Sequence, residues 1–187
     1  MTLLPAVIDA ANGIPVIAAG GVADGRGLAA ALVLGACGAW IGTRFIASAE
    51  SGCHPGHKRR VVEAEFSDVV ETTLFDGGWP DSPHRVIANS TFERWKSAGC
   101  PASGKRPGEG QEIGKLPNGA SLLRYNVASP WAEMEGDWEA GPLYAGYTCA
   151  LIRDVEPVGE ILSRMVRDAS HALRSVSLRR EMDRGDT

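Results

Sequence analysis

Ile14 to Ala19 is a short, uniformly apolar run of β-branched residues and alanine, the pattern of a parallel strand covered on both faces. Leu28, Ala31, Leu32 and Gly35 then recur at i, i+3, i+4 and i+7, which predicts a helix laying that face on the sheet. Asp24 is placed to cap it and Gly35 to end it. Ala39, Trp40 and Ile41 predict a second strand, followed by an apolar stretch from Phe45 to Ala49. Upstream, Leu3, Leu4, Val7 and Ile8 have helical spacing within Thr2 to Ala11, and Asn12-Gly13 is a stop signal. A helix in an alternating β/α chain packs on the strand before it, and no strand precedes Thr2, so the sequence reads as opening in mid-unit.

Beyond Ser51 the pattern is less regular. Pro55 is suited to start a helix, with Lys58, Arg59 and Arg60 on an exposed basic turn. Val69 to Phe75 is β-prone, Asp76 to Pro83 turn-rich, and Ile87 to Ala98 predicts a helix with Phe92 and Trp95 on its apolar side. Gly99 to Gly119 is Gly, Pro, Ser and Lys with hardly any large apolar residue, and reads as a long surface loop. Leu143 to Ile152 predicts an apolar, glycine-containing helix. In the last helix, after Pro157, one face carries Val158, Ile161, Leu162, Met165, Ala169, Ala172, Leu173 and Val176. Residues 180–187 read as a charged, frayed tail.

Composition narrows the class. With 44% apolar and 22% charged residues among 187, the chain is an ordinary globular one with room for a core. A net charge of −4 offers no general attraction for nucleic acid or anionic lipid. No apolar run reaches transmembrane length, and the first residues lack the pattern of a signal peptide, so a cytoplasmic location is expected. Cys37, Cys53, Cys100 and Cys149 are far apart and predict neither a zinc ribbon nor a disulfide framework. Cys53, between glycine and histidine, reads as a bystander. His54 and His57 are three apart and could face one metal, but no third ligand stands at a telling distance, so no metal site is expected. Lys105-Arg106 could touch an anionic ligand but reads as part of a solvated loop, and Trp131 and Trp138 could lie over a flat cofactor but read as closing a core edge.

The chemistry concentrates at the two strand ends. Gly20 and Gly21 lack a Cβ, so the backbone can turn sharply and bring N–H groups close to an anion. Gly42-Thr43 lies at the carboxyl end of the next strand, the side on which α/β folds bind ligands. In (β/α)8 barrels this tandem after the seventh and eighth strands is a frequent phosphate site, aided by a helix N-terminus. Such barrels usually need about 250 residues, so the expected fold is α/β, the last units of a partial (β/α)8 TIM barrel with a carboxyl-terminal α/β extension, forming one domain over 1–187.

The segments IPVIAAGGVADGRGLAAALVLGACGAWIGTRF, CHPGHKRR and YAGYTCALIRD, in that order, resemble the carboxyl-terminal part of the nitronate monooxygenase family, once called 2-nitropropane dioxygenases. The resemblance implies an FMN-binding barrel that oxidises alkyl nitronates with oxygen to carbonyl compounds and nitrite. It assigns the FMN phosphate to Gly20, Gly21, Gly42 and Thr43. Where the family usually has Ala-Gly-Gln near the flavin, this chain has Ala145-Gly146-Tyr147, so the amide is lost. The family's catalytic histidine lies upstream of the helix that begins here at Thr2, and none of His54, His57, His84 or His171 occupies its position. No catalytic residue is carried over. The resemblance therefore implies a chain that pairs with a complementary amino-terminal chain or with copies of itself. Another FMN barrel, such as an enoyl reductase, and a non-catalytic phosphate-binding remnant are the alternatives.

Overall fold

The computed structural model of the chain describes residues 2–116 and 118–182, with side chains as far as Ser175. Helix α1 (Leu3–Ala10) ends where Asn12 and Gly13 take positive φ, as the stop signal requires. Strand β1 (Ile17–Ala19) pairs in parallel with β2 (Gly38–Trp40), in the register Ile17↔Gly38, Ala18↔Ala39 and Ala19↔Trp40. Helix α2 (Gly25–Val33) makes the crossover; Asp24 caps it by accepting from the Gly27 N–H at 3.0 Å, and Gly35 leaves it at φ +102°. A short helix α3 (Thr43–Ile46) follows β2, and α4 (Pro55–Glu63) starts at the expected proline.

The strand pair is covered on one face only. Ala18 is buried against Ala31, Ala36 and Leu4, but Ile17 and Trp40 on the opposite face are 54% and 74% exposed. The expectation of a strand buried on both faces is thus corrected, because among the described residues nothing packs over that side. The buried face of α2 also differs from the expected one. Ala31 is buried on the strand pair as expected, but Gly25 and Ala29 are buried and Leu32 is exposed, because α2 also packs extensively on α6 (Val158–Met182). On α6 the buried stripe is Ile161, Met165 and Ala169, spaced four apart, and Leu162 on the predicted face points outward. Residues 180–182 continue α6; the rest of the predicted tail, and the Val176 side chain, lie outside the described residues.

The middle of the chain departs furthest from its pattern. Strand β3 (Val69–Thr72) pairs antiparallel with β4 (His84–Ile87), so Ile87 belongs to a strand and helix α5 begins only at Ser90 (Ser90–Ser97). Asn89 sets that start by accepting from the Phe92 N–H at 3.0 Å. The 99–119 stretch is not all loop. It carries β5 (Glu112–Lys115), which pairs with β6 (Ser121–Leu123) and β7 (Glu135–Gly136) and buries Ile113. Leu143 to Ile152 is not a helix either. Its first part runs extended beside β4, with Leu143 O accepting from Ile87 N–H and Ala145 N–H donating to Arg85 O, and only Tyr147–Leu151 coils, as a 3₁₀ turn. The main core, with Val61, Val69, Ile87, Leu143, Cys149 and Ile152, lies between α4, this hairpin and that turn.

Candidate phosphate-binding site

Ala19 and Trp40 are register partners, so β1 and β2 end side by side and their exits share one edge of the sheet. Gly20 and Gly21 leave β1 at φ +84° and +77°, a left-handed conformation that an L side chain adopts only under strain. A Cβ at Gly20, Gly21 or Gly42 would meet no atom within 4 Å. These glycines therefore do not serve strand–helix packing; they leave backbone open to whatever lies beyond. Gly27 contrasts with them, since a Cβ there would stand 3.3 Å from the Val22 Cα.

Gly42 caps α3, and its carbonyl accepts from the N–H groups of Phe45 (2.9 Å) and Ile46 (3.2 Å). The first N–H groups of such a turn have no acceptor within it. Because α3 has only four residues, its dipole is small and attraction for an anion rests on individual N–H groups. The Thr43 Oγ1 accepts from the Gly146 N–H at 2.9 Å, which leaves the hydroxyl proton free to donate. That bond ties the turn after β2 to a segment a hundred residues downstream. Arg44, next in the chain, is buried and turned away: it donates to the Asp154 carboxylate at 2.8 Å, the Ala47 carbonyl at 2.8 Å and the Asp154 carbonyl at 3.0 Å. Neither Arg44's anchoring role nor Thr43's partner has a local signal, because both depend on contacts distant in sequence.

An apolar cleft of about 510 Å³ adjoins the glycine turn. Leu3, Val7, Ala18, Ala30 and Leu34 line it along with Gly20 and Gly21, but Gly42 and Thr43 do not. It lies on the helix side of β1 and borders the cradle without containing it.

The other candidates separate from this site. His54 caps α4, its Nδ1 accepting from the Gly56 N–H at 3.1 Å, and its ring stacks on Trp138 at 4.8 Å. His57 is fully buried, with Nε2 3.2 Å from the Tyr144 carbonyl oxygen, and burial lowers its pKa to about 4. Among the described residues no group of His, Cys, Asp and Glu could hold a metal ion. Lys58 reaches back to the Ser48 and Ala49 carbonyls and Arg60 to that of Ala88, so the basic turn is partly absorbed in the fold. Arg106 is likewise taken up: it lies over the Tyr125 ring and binds Asp76 at 2.8 Å and Glu109, whose carboxyl it draws down to about 2. Trp138 packs into the core and Trp131 lies half-exposed over Gly52, in keeping with their reading as core-edge residues.

Sequence reasoning missed a further group beside the cradle. Tyr147, next to Gly146, stacks on Phe66 with ring centroids 4.4 Å apart, and the Arg85 guanidinium lies 5.3 Å from the Tyr147 centroid. Phe66 carried no signal because it stands alone among polar residues.

A (3aS,4S,5R,7aS)-5-hydroxy-7a-methyl-1-oxo-octahydro-1H-indene-4-carboxyl-CoA dehydrogenase of Mycobacterium tuberculosis is 32% identical over 94% of this chain and 56% of its own length. A probable nitronate monooxygenase of Bacillus subtilis is 51% identical over 41% of this chain and 22% of its own. Among solved structures, a nitroalkane oxidase from Streptomyces ansochromogenes matches 93% of this chain and 44% of its own with a TM-score of 0.66 and 30% identity. The chain thus spans about half the length, or less, of the proteins it matches, and shares their α/β, TIM-barrel-like fold. The family model for nitronate monooxygenase covers residues 1–168, through both glycine turns and into the helix that closes over α2, and the chain belongs to the nitronate monooxygenase family.

Proposed function

We propose that this chain is the phosphate-binding, carboxyl-terminal portion of a barrel flavoenzyme, with Gly20, Gly21, Gly42 and Thr43 holding the phosphate of FMN. The observation that carries the proposal is the pair of open glycine turns at adjacent strand ends, where added Cβ atoms would meet nothing, beside a threonine hydroxyl with a proton to donate. A phosphate needs convergent N–H and O–H donors and room for its oxygens, and these residues offer both. FMN held there would supply the two-electron chemistry by which an alkyl nitronate and oxygen yield a carbonyl compound and nitrite. The chain's own residues bind and orient; no base for proton transfer is assigned to it. Residues 1–187 form one domain in this reading, and β1 and β2 are two strands of an eight-stranded barrel, with a complementary amino-terminal barrel segment or another copy of the chain as the partner of their open edges. A cytoplasmic protein without nucleic-acid or membrane partners accords with the net charge of −4.

The test is quenching of FMN fluorescence by the purified chain, with Gly21→Asp as control. The variant places a negative charge at the open turn and should weaken binding by at least roughly tenfold. Equal quenching by both proteins would remove the phosphate from this cradle. A second reading, an FMN barrel acting on an acyl thioester, is favoured by one finding. The relative matched over 94% of the chain is a carboxyl-CoA dehydrogenase, whereas the 51% match to a nitronate monooxygenase covers only 41%.

A further inference from the structure

We infer that Phe66, Tyr147 and the guanidinium groups of Arg85 and Arg153 form a subsite for an adenine nucleotide, carried by a CoA thioester or by a reduced pyridine dinucleotide. It rests on the thioester reading only for which carrier is used. The rings form an ordered column: Arg85 lies on Tyr147, and Tyr147 stacks on Phe66 at an interplanar angle of 20°. Phe66 is 63% exposed, so the column ends in a ring that is largely open to solvent. A purine can extend such a column, because every base has a π-face and stacking on an aromatic side chain is tolerant of its identity.

The column is also held in place. Phe66 sits on a 3₁₀ turn closed by a reciprocal capping box, in which Glu65 N–H donates to the Asp68 carboxylate at 2.8 Å. Tyr147 follows Gly146, whose N–H is bound by Thr43. Phosphate donors stand on both sides. Arg85 pairs with Glu71 at 3.1 Å and Arg153 with Glu65 at 3.5 Å, and all four side chains are about half-exposed. Exposed pairs of this kind are weak, so a nucleotide phosphate, which takes guanidinium groups bidentately, can displace the carboxylates. Through Tyr147, Gly146 and Thr43 the column adjoins the cradle, as a substrate that reaches a flavin must.

Calorimetric titration of the full chain with CoA, 4′-phosphopantetheine, NADH, NADPH and inorganic phosphate tests this. CoA or a dinucleotide should bind where phosphopantetheine and phosphate do not. Phe66→Ala should weaken that binding by at least roughly tenfold, and Phe66→Trp should retain it. The exposure of Phe66 means that neither change threatens the fold. Binding of CoA alone assigns the carrier as the thioester, and of NADH or NADPH alone as the dinucleotide. No adenine-nucleotide binding, or an unchanged affinity in Phe66→Ala, overturns the subsite. So does an equal loss of FMN quenching in that variant, which would assign the column to the flavin. Nucleotide binding by a chain that does not quench FMN would instead overturn the cradle and leave the subsite standing.

Discussion

His57 shows how one buried residue sets a pH dependence. The Tyr144 carbonyl can only accept, so Nε2 must carry the proton and Nδ1 is bare, and that buried Nδ1 has no partner among the described residues. A second proton there would bring charge into the core with no acceptor to receive it, hence a pKa lowered from 6.5 to about 4 by burial. The unfolded chain binds this proton more readily, so His57 favours the fold fully above pH 6.5 and loses that contribution as pH falls towards 4. Over that window the slope due to His57 approaches about 1.4 kcal/mol per pH unit. His57→Gln, neutral throughout, should flatten this part of the curve in urea unfolding series at several pH values. Parallel curves for the two proteins would show that His57 titrates much as in the unfolded chain. Glycines divide by the same kind of local accounting. A Cβ on Gly25 would fall 2.5 Å from the Ala169 backbone nitrogen, so Gly25 is there for helix contact, whereas Gly20 and Gly21 face open space.

The contact that Gly25 permits is the most extensive between elements, α2 against α6. Ile161, Met165 and Ala169 recur every four residues, so the buried stripe drifts slowly around α6 and leaves Leu162 and Val166 outside. Ile161→Ala should therefore cost on the order of 2–5 kcal/mol in denaturant unfolding, while Val166→Ser changes stability by less than about 0.5 kcal/mol. Equal losses would mean that the outer face is covered too. Helices α1, α2, α4 and α6, the parallel strands and the two glycine turns were legible in the sequence because each follows from local period, caps and turn residues, whereas the four-residue α3 was not. The segments that were not legible owe their form to distant partners. His84–Ile87 is a strand because Val69–Thr72 lies beside it, although Ile87 also fits the apolar side of a helix. Leu143 and Ala145 run extended because their backbone groups bond to Ile87 and Arg85, and Gly146 then breaks the pattern. Ile113 and Leu116 are isolated large apolar residues in a glycine-rich stretch, and pairing with β6 and β7 makes Ile113 a strand residue.

At the scale of the molecule, the face of the β1–β2 pair that carries Ile17 and Trp40 decides how the chain behaves in solution. Among the described residues the pair has no third strand, so each strand keeps one free edge beside that exposed apolar face. Covering the Trp40 side chain contributes about 4 kcal/mol, while bringing two chains together costs about 4–15 kcal/mol. Trp40 alone barely meets the lower bound, and only with Ile17 and the strand edges does association become favourable. The purified chain should accordingly show a sedimentation coefficient that rises with concentration. Trp40→Lys removes most of the indole's share and adds a charge at the centre of the contact, so it should weaken self-association by at least roughly a hundredfold. A complementary barrel segment added in trans would compete for the same face and suppress the rise in the wild-type chain. A wild-type chain that sediments as a monomer at every concentration would show that this face is stable in water by itself, and the case for a barrel completed by further strands would lose its physical basis.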